Sequence, residues 1–312
     1  MRFRTVHLGF LFAFVLSFFV IGDEKLPVGR KMVSIEGLKQ HVRSLNFDRD
    51  PYDHYPELER AAEYIRNEYL KLGFEVKEDI FQWEGRSYRN IAAEKRGRTS
   101  PKHIFILGAH YDTVPGSPGA DDNTSGIAVL LEVARNIQAV TLEVTVRLIA
   151  FSLEEYDFIG STHYVKSLGK EGERILGMIS LEMVGFTGSK QNYPPYINPK
   201  HYPNVGDFIA IISNESSNRL LGKVCRSFKT HVPQLPLESL IVPGNGEGME
   251  EVRLSDHSTF WDQGFQALLI TDTSFLRNPN YHLPSDRMET LDFEFMQKVA
   301  MGVCYSVTEL TK

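Results

Sequence analysis

Apolar positions along this 312-residue chain recur with two different periods. Between 56 and 73 the period is helical: Leu58, Ala61, Ala62, Ile65, Tyr69 and Leu72 fall on one stripe, and Gly73 supplies a stop. Residues 74–81 and 88–93 read as two strands, joined as a hairpin through Glu84-Gly85. From 103 onward strand and helix alternate. A strand at 103–109, a helix at 124–138 carrying Ile127, Leu130, Leu131, Ala134 and Ile137, and a strand at 143–151 make a βαβ unit, which predicts neighbouring parallel strands. Helix 160–168, strand 175–183, strand 207–213, helix 216–229, strand 266–271 and helix 291–310 continue the alternation, with a short aromatic helix opening at Ser255-Asp256-His257. The expected fold class is α/β: a mixed, largely parallel central sheet flanked by helices on both faces. Residues 187–206 and 230–254 are rich in Pro, Gly and Asn and read as long surface loops, of the kind that rim or cover a binding site.

Composition narrows this picture in three ways. At 42% hydrophobic the chain can bury a full core, and no repeat, low-complexity tract or linker marks a second domain. The net charge of -6 gives no electrostatic reason to expect nucleic acid or an anionic membrane, so a peptide or small solute is the expected partner. Residues 1–22 place Arg2 and Arg4 before the apolar run Leu8 to Ile21, with Asp23 and Glu24 after it, the pattern of a secretory signal peptide. An uncleaved N-terminal anchor is the main competitor, and a membrane is a partner only in that case. Either reading leaves 23–312 as a single catalytic domain, secreted or otherwise extracytoplasmic. Cys225 and Cys304 are the only cysteines and form no metal-binding pair, so a zinc site must use histidines and carboxylates. Whether the two cysteines pair or stand as buried thiols is open on spacing alone.

Candidate chemistry gathers where predicted strands end. His110 stands just past a strand, with Asp112 two residues on and on the same side, a carboxylate placed to fix the imidazole's tautomer. Asp121 and Asp122 precede a helix capped by Thr124 or Ser125. Alone they read as ordinary N-terminal acids, but their place after the His110 strand points to a site, because ligands of open α/β sheets gather at strand carboxyl ends. Glu154 and Glu155 follow the strand ending at Phe151. As adjacent carboxylates they repel, unless a metal lowers the cost of one anion while the other holds a proton. Glu182 sits within the apolar run Ile179-Ser180-Leu181-Glu182-Met183-Val184, where a charge is costly unless paired or coordinated. His257 and His282 compete for one further ligand place. The remaining histidines, His41, His54, His103, His163, His201 and His231 among them, have no informative acidic spacing.

Several motifs in one order carry a resemblance. Asn90 to Glu94, Gly108 to Asp112, Gly119 to Gly126, Glu154-Glu155 with Gly160-Ser161, Leu181 to Gly185, Ser255-Asp256-His257 and Arg277 to His282 together resemble peptidase family M28, the co-catalytic zinc aminopeptidases, over roughly residues 35–310. The resemblance implies a three-layer zinc-exopeptidase fold and two zinc ions. It also implies roles: His110 as a ligand of one zinc, Asp122 as the carboxylate bridging both, Glu155 as a ligand of the second, and His282 as the closing histidine ligand in preference to His257. Glu154 becomes the general base of a two-metal activated water, Asp112 the residue orienting His110, and Asp256 an outer support. The remaining ligand is commonly Asp in that family but is Glu182 here, and the extra methylene favours contact through both oxygens. The implied activity is release of N-terminal amino acids from a peptide with a free N-terminus. Its rivals are a glutaminyl-peptide cyclotransferase using one zinc and a non-catalytic, peptidase-like binding ectodomain.

Overall fold

Residues 33–169 and 172–312 are described by a computed structural model. The N-terminal signal or anchor expectation lies outside those residues. Among them, no helix is long and apolar enough to cross a membrane.

In chain order the elements are α1 (Ile35–Leu45), α2 (Tyr55–Lys71), β1 (Glu75–Trp83), β2 (Arg86–Lys95), β3 (Ser100–His110), α3 (Gly126–Ile137), β4 (Val144–Phe151), α4 (Ile159–Val165), β5 (Arg174–Glu182), β6 (Ile209–Asn214), α5 (Asn218–His231), β7 (Leu237–Val242), α6 (His257–Asp262), β8 (Ala267–Thr271) and α7 (Phe293–Thr311). All eight strands form one sheet in the order β1-β2-β4-β3-β5-β8-β6-β7. Its middle, β4-β3-β5-β8, is parallel, whereas β1-β2, β2-β4 and β8-β6 are antiparallel, giving the mixed and largely parallel sheet that the alternation predicts.

Side-chain alternation along β3 divides the core between the two faces. Phe105, Leu107 and Ala109 join one apolar cluster with buried residues of α1, α2, α3, α5 and α7, while Ile104 and Ile106 join another with Tyr164 and Val165 of α4 and Phe260 and Trp261 of α6. A strand buried on both sides is what a near-continuous apolar run requires. The second face carries only short helices, so loops complete its cover beyond β8. That uneven cover leaves room for a pocket.

Two elements differ from the sequence expectation. The amphipathic helix α1 buries Leu38, His41, Val42 and Leu45, a stripe too sparse in apolar residues to stand out. Strand β7 falls in the stretch 230–254 expected to be loop. It is a short edge strand between Pro236 and Pro243, and its pairing with β6 rather than its own pattern makes it a strand. Cys225 and Cys304 are both free, on α5 and α7.

Candidate metal centre

The parallel strands deliver every expected site residue to one edge of the sheet. His110 ends β3 and Glu182 ends β5, Glu154 and Glu155 lie just beyond β4, Asp122 lies in the turn entering α3, and His282 lies in the loop between β8 and α7. From β3 the chain passes to β4 on one side, and from β5 it passes toward β6 on the other. The ends of β3 and β5 therefore frame the crevice where such sheets bind ligands.

Distances within this crevice resolve into two groups. His110 Nε2 lies 3.2 Å from Asp122 Oδ1, 3.3 Å from Glu182 Oε1 and 3.7 Å from Glu154 Oε2. His282 Nε2 lies 3.1 Å from Asp122 Oδ2 and 3.0 Å from Glu155 Oε2. Asp122 thus turns one oxygen to each histidine. A single ring N–H donates in one direction, yet each Nε2 faces several carboxylates, and His282 Nε2 and Glu155 Oε1 are buried with no hydrogen-bond geometry to any partner. Donor atoms of His110, Glu154 and Glu182 lie within 4.8 Å of one another, as do those of His110, Asp122 and Glu155. Nitrogen and oxygen donors converging on shared points, rather than on one another, fit a cation, and this donor set is one zinc accepts.

Electrostatics point the same way. Burial, with Asp122 as a like-charged neighbour, pushes Glu155 up to about 8. Glu154 is held well above the carboxylate range by burial and by Glu182 and Glu155, and Glu182 is raised chiefly by burial. Burial alone would lower both histidines, but Glu182 and Glu154 hold His110 well above its ordinary value, and Asp122 and Glu155 raise His282 to about 10. Asp122 is the exception. Burial works to raise it, yet the two histidines facing it hold it well below the usual range. Protein groups alone leave this cluster short of positive charge, which divalent cations would supply.

The surrounding residues fix the cluster in place. Asp112 accepts hydrogen bonds from the backbone N–H groups of Glu154 and Glu155, both at 3.1 Å, while its Oδ1 stands 3.5 Å from His110 Nδ1. One carboxylate thereby ties the ends of β3 and β4 together. Asn123 donates to the carbonyl of Leu181 and accepts from Met183 N–H, tying the Asp122 turn to the end of β5. Gly126 is needed for that approach, because a Cβ there would lie 2.9 Å from the Leu181 carbonyl oxygen. The Asp122–Asn123 peptide is cis. Asp121, the neighbour set aside on sequence, is buried and accepts from Gly185 N–H and the Asn278 amide. No side-chain cap from Thr124 or Ser125 forms at α3; instead Ser125 Oγ donates to the Asp121 carbonyl.

Of four further supports, Asp286 and Arg49 carried no recognisable sequence signal, while Ser255 and Asp256 stand in the Ser255-Asp256-His257 motif. Asp286, from the loop before α7, accepts from Asp121 N–H and Asp122 N–H. Arg49 is fully buried and donates to the carbonyls of Leu45, Phe47, Tyr111, Pro118 and Gly119 and to Thr124 Oγ1. Its guanidinium thereby joins α1 to the loop between His110 and Asp122. Ser255 donates at 2.8 Å to Glu182 Oε2, which leaves only Oε1 facing His110. That bond orients the carboxylate, with one oxygen on Ser255 and the other towards His110. Asp256 is buried beside these groups, and burial pushes it up to about 7.

His257 stands outside the cluster. Its Nε2 donates to the Val252 carbonyl at 2.9 Å, and burial pushes the ring down to about 3, the behaviour of a neutral structural histidine. His54, His163 and His231 do meet carboxylates, Asp50, Asp79 and Glu309, but all three pairs lie away from the crevice.

Comparison with known proteins agrees with this architecture. The chain is 33% identical over 314 residues to the uncharacterized protein YfbL of Escherichia coli, covering 94% of each. It superposes on BSAP, a zinc aminopeptidase from Bacillus subtilis, with a TM-score of 0.60 and 29% identity, covering 74% of this chain but 52% of that one. A glutaminyl cyclase from Porphyromonas gingivalis shares the fold, with a TM-score of 0.69 at 20% identity, covering 89% of this chain and 99% of that one. The model of "Peptidase family M28" matches residues 90–307, and with the zinc-suited histidine and carboxylate cluster at the sheet edge the chain belongs to peptidase family M28.

Proposed function

We propose that residues 23–312 form a zinc aminopeptidase that releases N-terminal residues from peptides, exported as its N-terminal sequence suggests. The observation that carries this reading is Asp122, whose two oxygens face His110 and His282 at 3.2 and 3.1 Å. In this reading His110, Asp122 and Glu182 hold one ion, and His282, Asp122 and Glu155 hold the other. Ions held there would supply polarisation of the scissile carbonyl and would lower the pKa of a water enough for it to give up a proton and become a nucleophile near neutral pH. Glu154 removes that proton and returns it to the leaving amine. Its carboxylate is buried at the cluster, and no described residue holds it by a hydrogen bond, so it is free to trade a proton. Asp112 keeps His110 and the Glu154–Glu155 backbone in register during that transfer.

A hydrolysis screen tests the reading directly. Aminoacyl amides, N-blocked peptides and N-terminal Gln peptides are offered to protein of measured zinc content. Turnover confined to free N-termini, with zinc above one ion per chain, is expected. Ring closure of the Gln peptides with a single zinc would replace this reading by the cyclotransferase one. No turnover by metal-free protein that refuses zinc would point to a binding ectodomain.

Ser255 supplies a narrower prediction. Ser255→Ala frees Glu182 Oε2 from its anchor, and loss of such a support around a ligand costs about 10–100-fold in metal affinity. Competition against a zinc chelator measures it; unchanged affinity would make Ser255 a packing residue only.

A further inference from the structure

Strand register places a second carboxylate on the face that carries Glu182. Glu182 pairs with Thr271, Thr271 with Ala210, and Ala210 with Glu238, so the four form one row across β5, β8, β6 and β7. Directly paired residues point to the same face, and three strand steps separate Glu182 from Glu238 by about 14 Å between Cα atoms. The two residues between them are small. All four line one cavity of about 340 Å³ that also reaches Asp122, Glu154 and His282. One row further along the strands, Leu269, Ile212 and Leu240 continue the floor, and Tyr193, Tyr202 and Phe208 supply aromatic wall. The space is therefore an apolar trough with the metal centre at one end and Glu238 at the other.

The charge inside this trough is one-sided. Besides the cluster carboxylates its lining includes Asp157, Glu238 and Glu251, and no Lys or Arg. Glu251 accepts from Tyr196 Oη at 2.8 Å. Glu238 has neither hydrogen bond nor ion pair among the described residues; burial raises it, and Lys229 acts on it only from beyond ion-pair distance. Glu238 is half-buried on the edge strand, and a carboxylate without a partner among the described residues at the far end of an apolar trough is a complement for a cation carried on an apolar stem.

We propose that Glu238 sets the side-chain preference of this pocket, selecting an N-terminal residue with a long aliphatic stem and a cationic tip, Lys or Arg. The inference rests on the aminopeptidase reading. The α-amine and scissile carbonyl lie at the metal centre, the methylenes cover Thr271 and Ala210, and the tip meets Glu238.

The test compares Lys, Arg and norleucine p-nitroanilides, norleucine being lysine without its terminal amine, on zinc-loaded wild type and Glu238→Gln. Wild type is expected to favour Lys and Arg over norleucine in kcat/KM by about tenfold, and the variant to erase that ratio mainly through KM. A wild-type preference for norleucine, or a ratio that Glu238→Gln leaves unchanged, overturns the proposal while the aminopeptidase reading stands. Should no p-nitroanilide be cleaved, that reading fails, and calorimetric binding of free L-arginine against L-norleucine still judges Glu238. Tighter arginine binding that disappears in the variant supports its role, and equal binding overturns it.

Discussion

Replacing Glu154 by glutamine is expected to lower kcat by about 10²–10⁴-fold, the usual worth of a positioned general base, while zinc content stays at the wild-type level. Glutamine keeps the volume and one carbonyl oxygen of glutamate but cannot take a proton. The separation of the two effects follows from the geometry. Glu154 Oε2 is 3.7 Å from His110 Nε2, further than the Asp122 and Glu182 oxygens, and Asp112 holds the residue through its backbone rather than its side chain. Single-turnover rates and metal analysis on the same preparation check it. Near-normal turnover with zinc bound would move the base to another residue, and loss of zinc would make Glu154 a ligand.

Asp122→Asn is expected to act on both metal positions together. The substitution exchanges one oxygen for an amide nitrogen and removes the charge that both histidines face. Dialysed protein should retain less zinc than wild type, and kcat/KM should fall by about 10³-fold, roughly 4 kcal/mol of transition-state stabilisation, the several kcal/mol that a Lewis acid supplies. His282→Ala, by comparison, should spare the group around His110. Full zinc retention in Asp122→Asn, with activity within about tenfold of wild type, would rule out a shared carboxylate. The variant's fold should persist, because Asp286 holds the Asp122 backbone and Asn123 holds the turn to β5 independently of the Asp122 side chain.

How much of this site is legible in the chain depends on where each residue stands. His110, Glu154, Glu155 and Glu182 were readable because each is a polar group at, or just past, the end of an apolar run, and a parallel sheet brings those ends to one edge. Choosing His282 over His257 required the family resemblance, since both histidines follow plausible elements and local pattern favours neither. The structure adds that His257 is occupied with the Val252 carbonyl. Arg49, Asp286 and Ser255 could not be found this way. Each acts across a long sequence separation, 75 residues from Arg49 to Thr124, 164 from Asp286 to Asp122 and 73 from Ser255 to Glu182, and nothing near them in the chain records the partner.

By itself the sequence determined the elements with strong periodicity: the long helix α2, the β1–β2 hairpin, the β3-α3-β4 unit, and with them the strand ends where chemistry gathers. Period is a property of neighbouring residues, so it survives in one dimension. Tertiary structure alone decided the order of strands, the strand character of β7, the single oxygen that Glu182 turns to His110, and the row that sets Glu182 and Glu238 on one face. Those are matters of register and long-range closure. They are fixed by which apolar faces can be buried together, a condition the whole chain satisfies at once and no segment contains.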